Sequence, residues 1–197
     1  MRAFLSYIRY IFLGLLAGVA ASWAYFRRQL FIDQLTGIPN QMAVPKLLRQ
    51  SLRRVTREKT PLSIALLDLD DFKAVNTEFG YPSGDQLLRE FSGILKDFSR
   101  RHEIRVLRYK SGDEFLLIME HIAETRACEI LEQLQEAMQA TTFTSQGKPL
   151  KMRFSAGRST FRGVSKLSKV DTAMQQLLEA CENDLFTAKA KRASCTG

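Results

Sequence analysis

Five carboxylates fall into two short clusters: Asp68, Asp70 and Asp71 at the end of one apolar run, and Asp113 and Glu114 just after Gly112. A hard cation such as Mg²⁺ takes oxygen ligands and commonly binds through one or two carboxylates plus substrate phosphates. Asp68 with Asp113 meets that requirement. Two such ions about 3.5–4 Å apart activate an attacking hydroxyl and neutralise a leaving pyrophosphate, so the reaction class is nucleotidyl transfer. Solvation alone explains a single acidic residue at a strand end or turn. Two acidic clusters, each flanked by apolar residues, are harder to dismiss. Gly112 beside Asp113 lets a backbone approach a phosphate closely, although a glycine in a hairpin is also an ordinary turn residue.

These groups meet only if the elements carrying them share one sheet. Leu62 to Leu69 is a continuous apolar run after Pro61, short enough to be a buried strand. Along it Asp68 and Asp70 face one way and Leu69 the other. Ile104 to Arg108 and Phe115 to Met119 are two apolar runs joined by Tyr109 to Glu114, a hairpin with Gly112 near its tip. Asp33 to Asn40 (DQLTGIPN) is rich in turn formers, and Asn40 suits the N-cap of a helix running toward Arg57, with Pro45 inside it as a local conflict. Helical stripes follow in Gly84 to Ser99 (Leu87, Leu88, Phe91, Ile94, Leu95, Phe98) and at Ala127, Ile130, Leu131, Leu134 and Met138. Leu150 to Ser159 reads as a strand, and a last helix carries Met174, Leu177, Leu178, Cys181, Leu185 and Ala188 on one side. Strands joined by both a hairpin and helical crossovers imply a mixed sheet with helices packed on it, an α+β layered fold.

With 197 residues, 45% of them hydrophobic and 25% charged, the chain has room for one globular core. The net charge of +8 favours anionic partners without choosing among nucleotides, nucleic acid and an acidic membrane. Nucleic acid is the weakest of these, because little aromatic stacking is interleaved with the basic residues. Cys128, Cys181 and Cys195 are odd in number and widely spaced, which disfavours a disulfide framework or a zinc site.

The motifs DQLTGIPN, DLDDFKAVNTEFGYPSGDQLL (Asp68 to Leu88), SGDEF (Ser111 to Phe115), SAG (Ser155 to Gly157) and LFTAK (Leu185 to Lys189) resemble, in order, the signatures of GGDEF-domain diguanylate cyclases. The resemblance implies a ferredoxin-like palm of the nucleotidyl cyclase type and a homodimer that condenses two GTP into cyclic di-GMP with release of two pyrophosphates. It also implies Mg²⁺ or Mn²⁺ on Asp68, the Leu69 carbonyl and Asp113, with Glu114 activating the 3′-hydroxyl or supporting a metal. By the same resemblance Lys73 and Lys189 contact phosphate, Asn76 and Asp85 hold the guanine edge, and Ser111 and Gly112 border the nucleotide. An Asp facing the N1 and N2 donors of guanine offers acceptors that match guanine and not adenine.

Several positions depart from the family pattern. Ser111 replaces the first glycine of the loop, Lys110 precedes it, and Arg108 lies one place earlier than the usual arginine. The product-inhibition motif R-x-x-D is replaced by His102, Glu103, Ile104 and Arg105, so feedback by cyclic di-GMP is expected to be absent. The usual Asn-Asp pair is Asn76-Thr77, and the usual histidine is Tyr81. Glu182 replaces an aspartate, and Ala193 stands at a phosphate-binding arginine for which Lys191 or Arg192 offers a substitute. Since the acidic ligands are retained, reduced activity is the expectation. A GTP-binding domain without turnover is the alternative, and a mixed cyclic dinucleotide a third reading.

Tyr10 to Phe26 is uncharged, bracketed by Arg9 and by Arg27 and Arg28, and carries Tyr10, Trp23 and Tyr25 where interfacial aromatics belong. The expectation is a single-pass anchor at 1–28 in the bacterial cytoplasmic (inner) membrane, with a cytoplasmic catalytic domain at 29–197 and no sensory module between them. A cleaved secretory signal reads similarly, but GTP would then be out of reach.

Overall fold

The structure is a computed structural model that describes residues 13–23, 29–110, 112–163 and 169–195. The chain divides into two compact units between Ile32 and Asp33. In the first, residues 13–23 are helical. Among the described residues no helix is long and apolar enough to cross a membrane. At about 1.5 Å per residue the described helix spans roughly half of a ~30 Å hydrocarbon core. This corrects the expected single-pass anchor and the inner-membrane location that followed from it. The rest of that expectation falls on residues 1–12 and 24–28, outside the described residues.

In the second unit Asn40 is a cap as expected, its side-chain oxygen accepting from the Met42 N–H at 2.9 Å. The element it starts is a 3₁₀ turn, Gln41–Ala43, that leads into α1, Val44–Glu58. Pro45 therefore sits in the first helical turn, where its missing N–H has no intrahelical partner to lose, and the conflict at this position disappears. β1 is Leu62–Leu69, buried along its whole length. The segment after it forms a helix of its own, α2 (Phe72–Phe79), before Gly80 at φ +81 turns the chain into α3 (Tyr81–His102). β2 (Arg105–Arg108), β3 (Glu114–Glu120) and α4 (Glu124–Ala140) follow.

The strand expected from Leu150 starts later, as β6, Phe154–Phe161. Before it, β4 (Phe143–Ser145) and β5 (Lys148–Leu150) form a separate small hairpin. Gln146 and Gly147, at φ +50 and +75, make its two-residue turn, the backbone shape that matches strand twist. α5, Val170–Cys195, closes the unit.

The main sheet has the order β2-β3-β1-β6. Every hydrogen-bonded pair in it is antiparallel, while β1 and β2, separated by β3, point the same way. Hairpin and helical connections are mixed in one sheet, and helices cover both faces. On one face α3 and α4 bury Leu88, Phe91, Leu95, Ile130 and Leu134 against Ala65, Leu67, Phe115 and Leu117. The Phe91 and Phe115 rings meet edge to face with centroids 5.0 Å apart. On the other face α1 and α5 pack on each other and on β1, with α5 lying along β6.

The close approach of α5 to β6 depends on Gly157 of the SAG motif. A Cβ there would overlap backbone atoms of Cys181 and Leu185. The Cys181 thiol, fully buried and pushed up to about 12 by that burial, donates to the Gly157 carbonyl at 3.1 Å. Asp184 accepts from the Arg158 N–H at 2.8 Å and so occupies a donor on the edge strand. Since backbone cannot yield as a side chain tip does, Gly157→Ala is expected to destabilise the fold by about 3 kcal/mol, measured by urea denaturation.

Candidate active site

The β1–β3 register decides where the carboxylates go. Asp68 lies directly across from Glu114, and the Leu69 N–H donates to the Asp113 carbonyl at 3.3 Å. Opposite residues on antiparallel strands project to the same face, so the end of β1 and the start of β3 present their acids together. That face is the one under α5, and the Lys189 ammonium of α5 lies 2.5 Å from Asp68 Oδ2. Asp68 is 7% exposed, so a sheltered carboxylate is met by an ammonium that reaches it from the solvent side.

Electrostatics in the cluster follow from crowding. Burial pushes the Asp113 carboxyl above its ordinary value, and the neighbouring Asp68 charge pushes the same way. Glu114 is also raised, first by burial, with Lys110 opposing and Asp68 adding to the rise. Acids raised by burial and by a neighbouring carboxylate are those a cation would relieve. Among the described residues there is no group of three or more His, Cys, Asp or Glu that forms a ready-made metal cage. The donor set still fits a cation that uses two carboxylates and fills its shell with phosphate and water, and the Lys189 ammonium stands on Asp68 where positive charge is wanted.

Two straps fix the hairpin tip. The Arg108 guanidinium donates twice to the Gly112 carbonyl, at 3.1 and 2.6 Å, and once to Asp33 Oδ1 at 2.8 Å. Asp33 in turn accepts from the Thr36 N–H and hydroxyl at 2.9 and 2.6 Å, which folds the DQLTGIPN segment into a turn. Burial would raise the Asp33 carboxyl, but the Thr36 and Arg108 hydrogen bonds outweigh it and hold the group below its ordinary value. The second strap is Glu182 of α5, which accepts from both the Tyr109 hydroxyl and the Lys110 ammonium at 2.8 Å. Lys110 takes φ +49 and Gly112 φ +104, so the loop turns through the left-handed region on both sides of position 111. Ser111 itself lies outside the described residues.

The β1–α2 turn is held from α5 as well. Arg192 pairs with Asp70 at 2.9 Å and with Asp71, while the Ser155 hydroxyl donates to Asp70 at 2.7 Å. Asp71 takes φ +59 at the start of α2. Beyond it Lys73 is exposed on the first turn of α2, and Asn76 lies one turn further along. The Asn76 carboxamide rests against Gly84 of α3, where a Cβ would overlap its Oδ1, and Asp85 is the next residue, half-buried. Thus Asp68, Asp113, Glu114 and Lys189 come together at the sheet end, while Asn76 rests against Gly84, the residue before Asp85, where α2 meets α3. The sequence reading missed the Arg108–Asp33 and Glu182 straps, whose partners are far apart in the chain. It named Arg192 as a substitute phosphate ligand, whereas here Arg192 is engaged with Asp70 and Asp71.

An antiparallel sheet with helices on both faces and acids from two strands at one end is an α+β layered domain. The description "Diguanylate cyclase, GGDEF domain" matches residues 30–194, and the chain belongs to that family. It is 31% identical over 83% of its length to diguanylate cyclase DgcP of Pseudomonas aeruginosa, of which it covers 23%. It is 33% identical over 80% of its length to the response regulator PleD of Caulobacter vibrioides, of which it covers 34%. The chain thus spans about a quarter to a third of these curated relatives. Among solved structures, the coiled coil and GGDEF domain of DgcB from Caulobacter crescentus in complex with c-di-GMP superposes with TM-score 0.78 at 19% identity, covering 90% of each chain.

The two site aspartates should respond to pH with opposite signs. Asp33, depressed in the fold, contributes stability above its unfolded value near about 3.9 and loses it as pH falls through the folded value. Asp113, raised in the fold, weakens the metal-free protein at pH above its folded value. In thermal melts with EDTA at pH 7, Asp33→Asn should therefore melt lower than wild type and Asp113→Asn higher. The Asp113 difference should shrink as pH falls through the raised value of that carboxyl, whereas the Asp33 difference should begin to shrink only below its unfolded value and vanish at lower pH still, once the folded carboxyl is protonated.

Proposed function

We propose that this chain is a diguanylate cyclase domain that condenses two GTP into cyclic di-GMP as a homodimer, each protomer contributing one bound GTP. The observation that carries the reading is the β1–β3 register, which sets Asp68 opposite Glu114 with Asp113 alongside. In this reading Asp68, Asp113 and the Leu69 carbonyl hold Mg²⁺ or Mn²⁺, which when bound supplies charge neutralisation at the phosphates. Glu114 orients the 3′-hydroxyl of one GTP toward the α-phosphorus of the other. The hydroxyl gives its proton to the Glu114 carboxylate as an O–P bond forms there, the bond to pyrophosphate breaks, and the second half-reaction repeats the exchange in the opposite sense. Lys189, which pairs with Asp68 in the metal-free fold, would contact the phosphates with the cation bound, and Lys73 would support them from α2. Ser111 and Gly112 border the nucleotide, and Asn76 and Asp85 select guanine through its edge.

The residues at the family's inhibition motif are spent on other contacts, which supports loss of feedback. The His102 ring packs on Phe98 with centroids 4.2 Å apart, Ile104 is buried, and Arg105 pairs with Glu120 at 3.2 Å. His102 is held below its ordinary value by burial and by the charges of Arg126 and Arg101.

Purified protein incubated with Mg²⁺ and GTP should yield cyclic di-GMP by mass analysis, and Asp113→Ala should lower the rate by about 10³-fold or more. Added cyclic di-GMP should leave the rate unchanged. Wild type as inert as Asp113→Ala, with GTP still bound, would establish the alternative of a GTP-binding domain without turnover. An adenine-containing product from mixed GTP and ATP would contradict the role given to Asp85.

A further inference from the structure

Tyr81 opens α3 with 79% of its surface exposed, an unusual position for a large aromatic residue. It precedes Gly84 by three residues and Asp85 by four, so all three share one face of the helix. Gly84 is the position against which the Asn76 carboxamide rests. Helical side chains lean toward the N-terminus, which carries the Asp85 carboxylate over the turn that Tyr81 begins. An exposed ring therefore stands one helical turn before Asp85, beside the pair to which the GTP reading gives the base edge.

We infer that Tyr81 is a base-stacking residue: its ring covers one face of the guanine whose edge Asn76 and Asp85 hydrogen-bond. This rests on the GTP reading above and adds to it the source of affinity for the base. An aromatic face stacks on any purine, so Tyr81 strengthens nucleotide binding while Asn76 and Asp85 make the choice of guanine. It acts apart from the phosphates, which Lys73 and Lys189 approach from α2 and α5.

The test titrates wild type, Tyr81→Ala and Tyr81→Phe calorimetrically, in Mg²⁺, with a GTP analogue carrying sulfur on the α-phosphate and with inorganic tripolyphosphate, which lacks a base. Tyr81→Ala should bind the analogue about tenfold more weakly, as expected for loss of one stacked ring, and Tyr81→Phe should retain wild-type affinity. Tripolyphosphate binding and melting temperature should not change in either variant. Unchanged analogue affinity in Tyr81→Ala, or equal losses for analogue and tripolyphosphate, would overturn the stacking role alone. Failure of the wild type to bind the analogue would overturn it together with the GTP reading.

Discussion

The site depends on the antiparallel pairing of β1 with β3, which brings like charges face to face at the end of a buried sheet. Asp68 opposite Glu114 is an unfavourable cross-strand pair by itself, since like charges directly opposite destabilise a ladder. Apolar pairs further back, Ile64 with Ile118 and Leu66 with Leu116, hold the register in which it occurs. A slip of one residue would move the whole hydrophobic set and Asp68 to the other face. Packing on both sides of β1 thus overrides the repulsion, and the Lys189 ammonium offsets part of it.

Around that pair the domain is tied together by ion pairs from distant parts of the chain. Arg108 links the hairpin to the turn at Asp33, Glu182 links it to α5, and Arg192 links α5 to the β1–α2 turn. Exposed ion pairs contribute little, but Arg108 is mostly buried and makes three charge-assisted hydrogen bonds, so its geometry is constrained. The result is a rigid floor for the acids, to which α5 contributes Glu182, Lys189 and Arg192. That explains why Gly157, far from the acids in sequence, matters: it lets α5 lie against the sheet closely enough for Lys189 to reach Asp68.

Features carried by local pattern were legible in the sequence. The largely apolar run Leu62–Leu69 marked β1 to the residue, and the stripes at Leu87 to Phe98 and Ala127 to Met138 marked α3 and α4. Features set by tertiary contact were not. The segment between Asp71 and Gly84 has a single buried apolar residue, Val75, so α2 left no clear stripe. β4 and β5 are too short to show a period of two. The uncharged stretch at the N-terminus read as a membrane span, yet its described helix is too short for one. Within the site the acids and Lys189 were visible as motif residues, but the straps made by Arg108 and Glu182 join segments that no local spacing connects.

In the proposed function Asp68 and Asp113, from different strands, share one divalent cation site. Electron paramagnetic resonance of Mn²⁺ titrated into the protein with a non-reacting GTP analogue tests it most directly. The account predicts a bound-manganese signal in the wild type that is lost in Asp68→Asn and lost equally in Asp113→Asn, because neither carboxylate suffices alone. Tight manganese binding that survives both substitutions would contradict it.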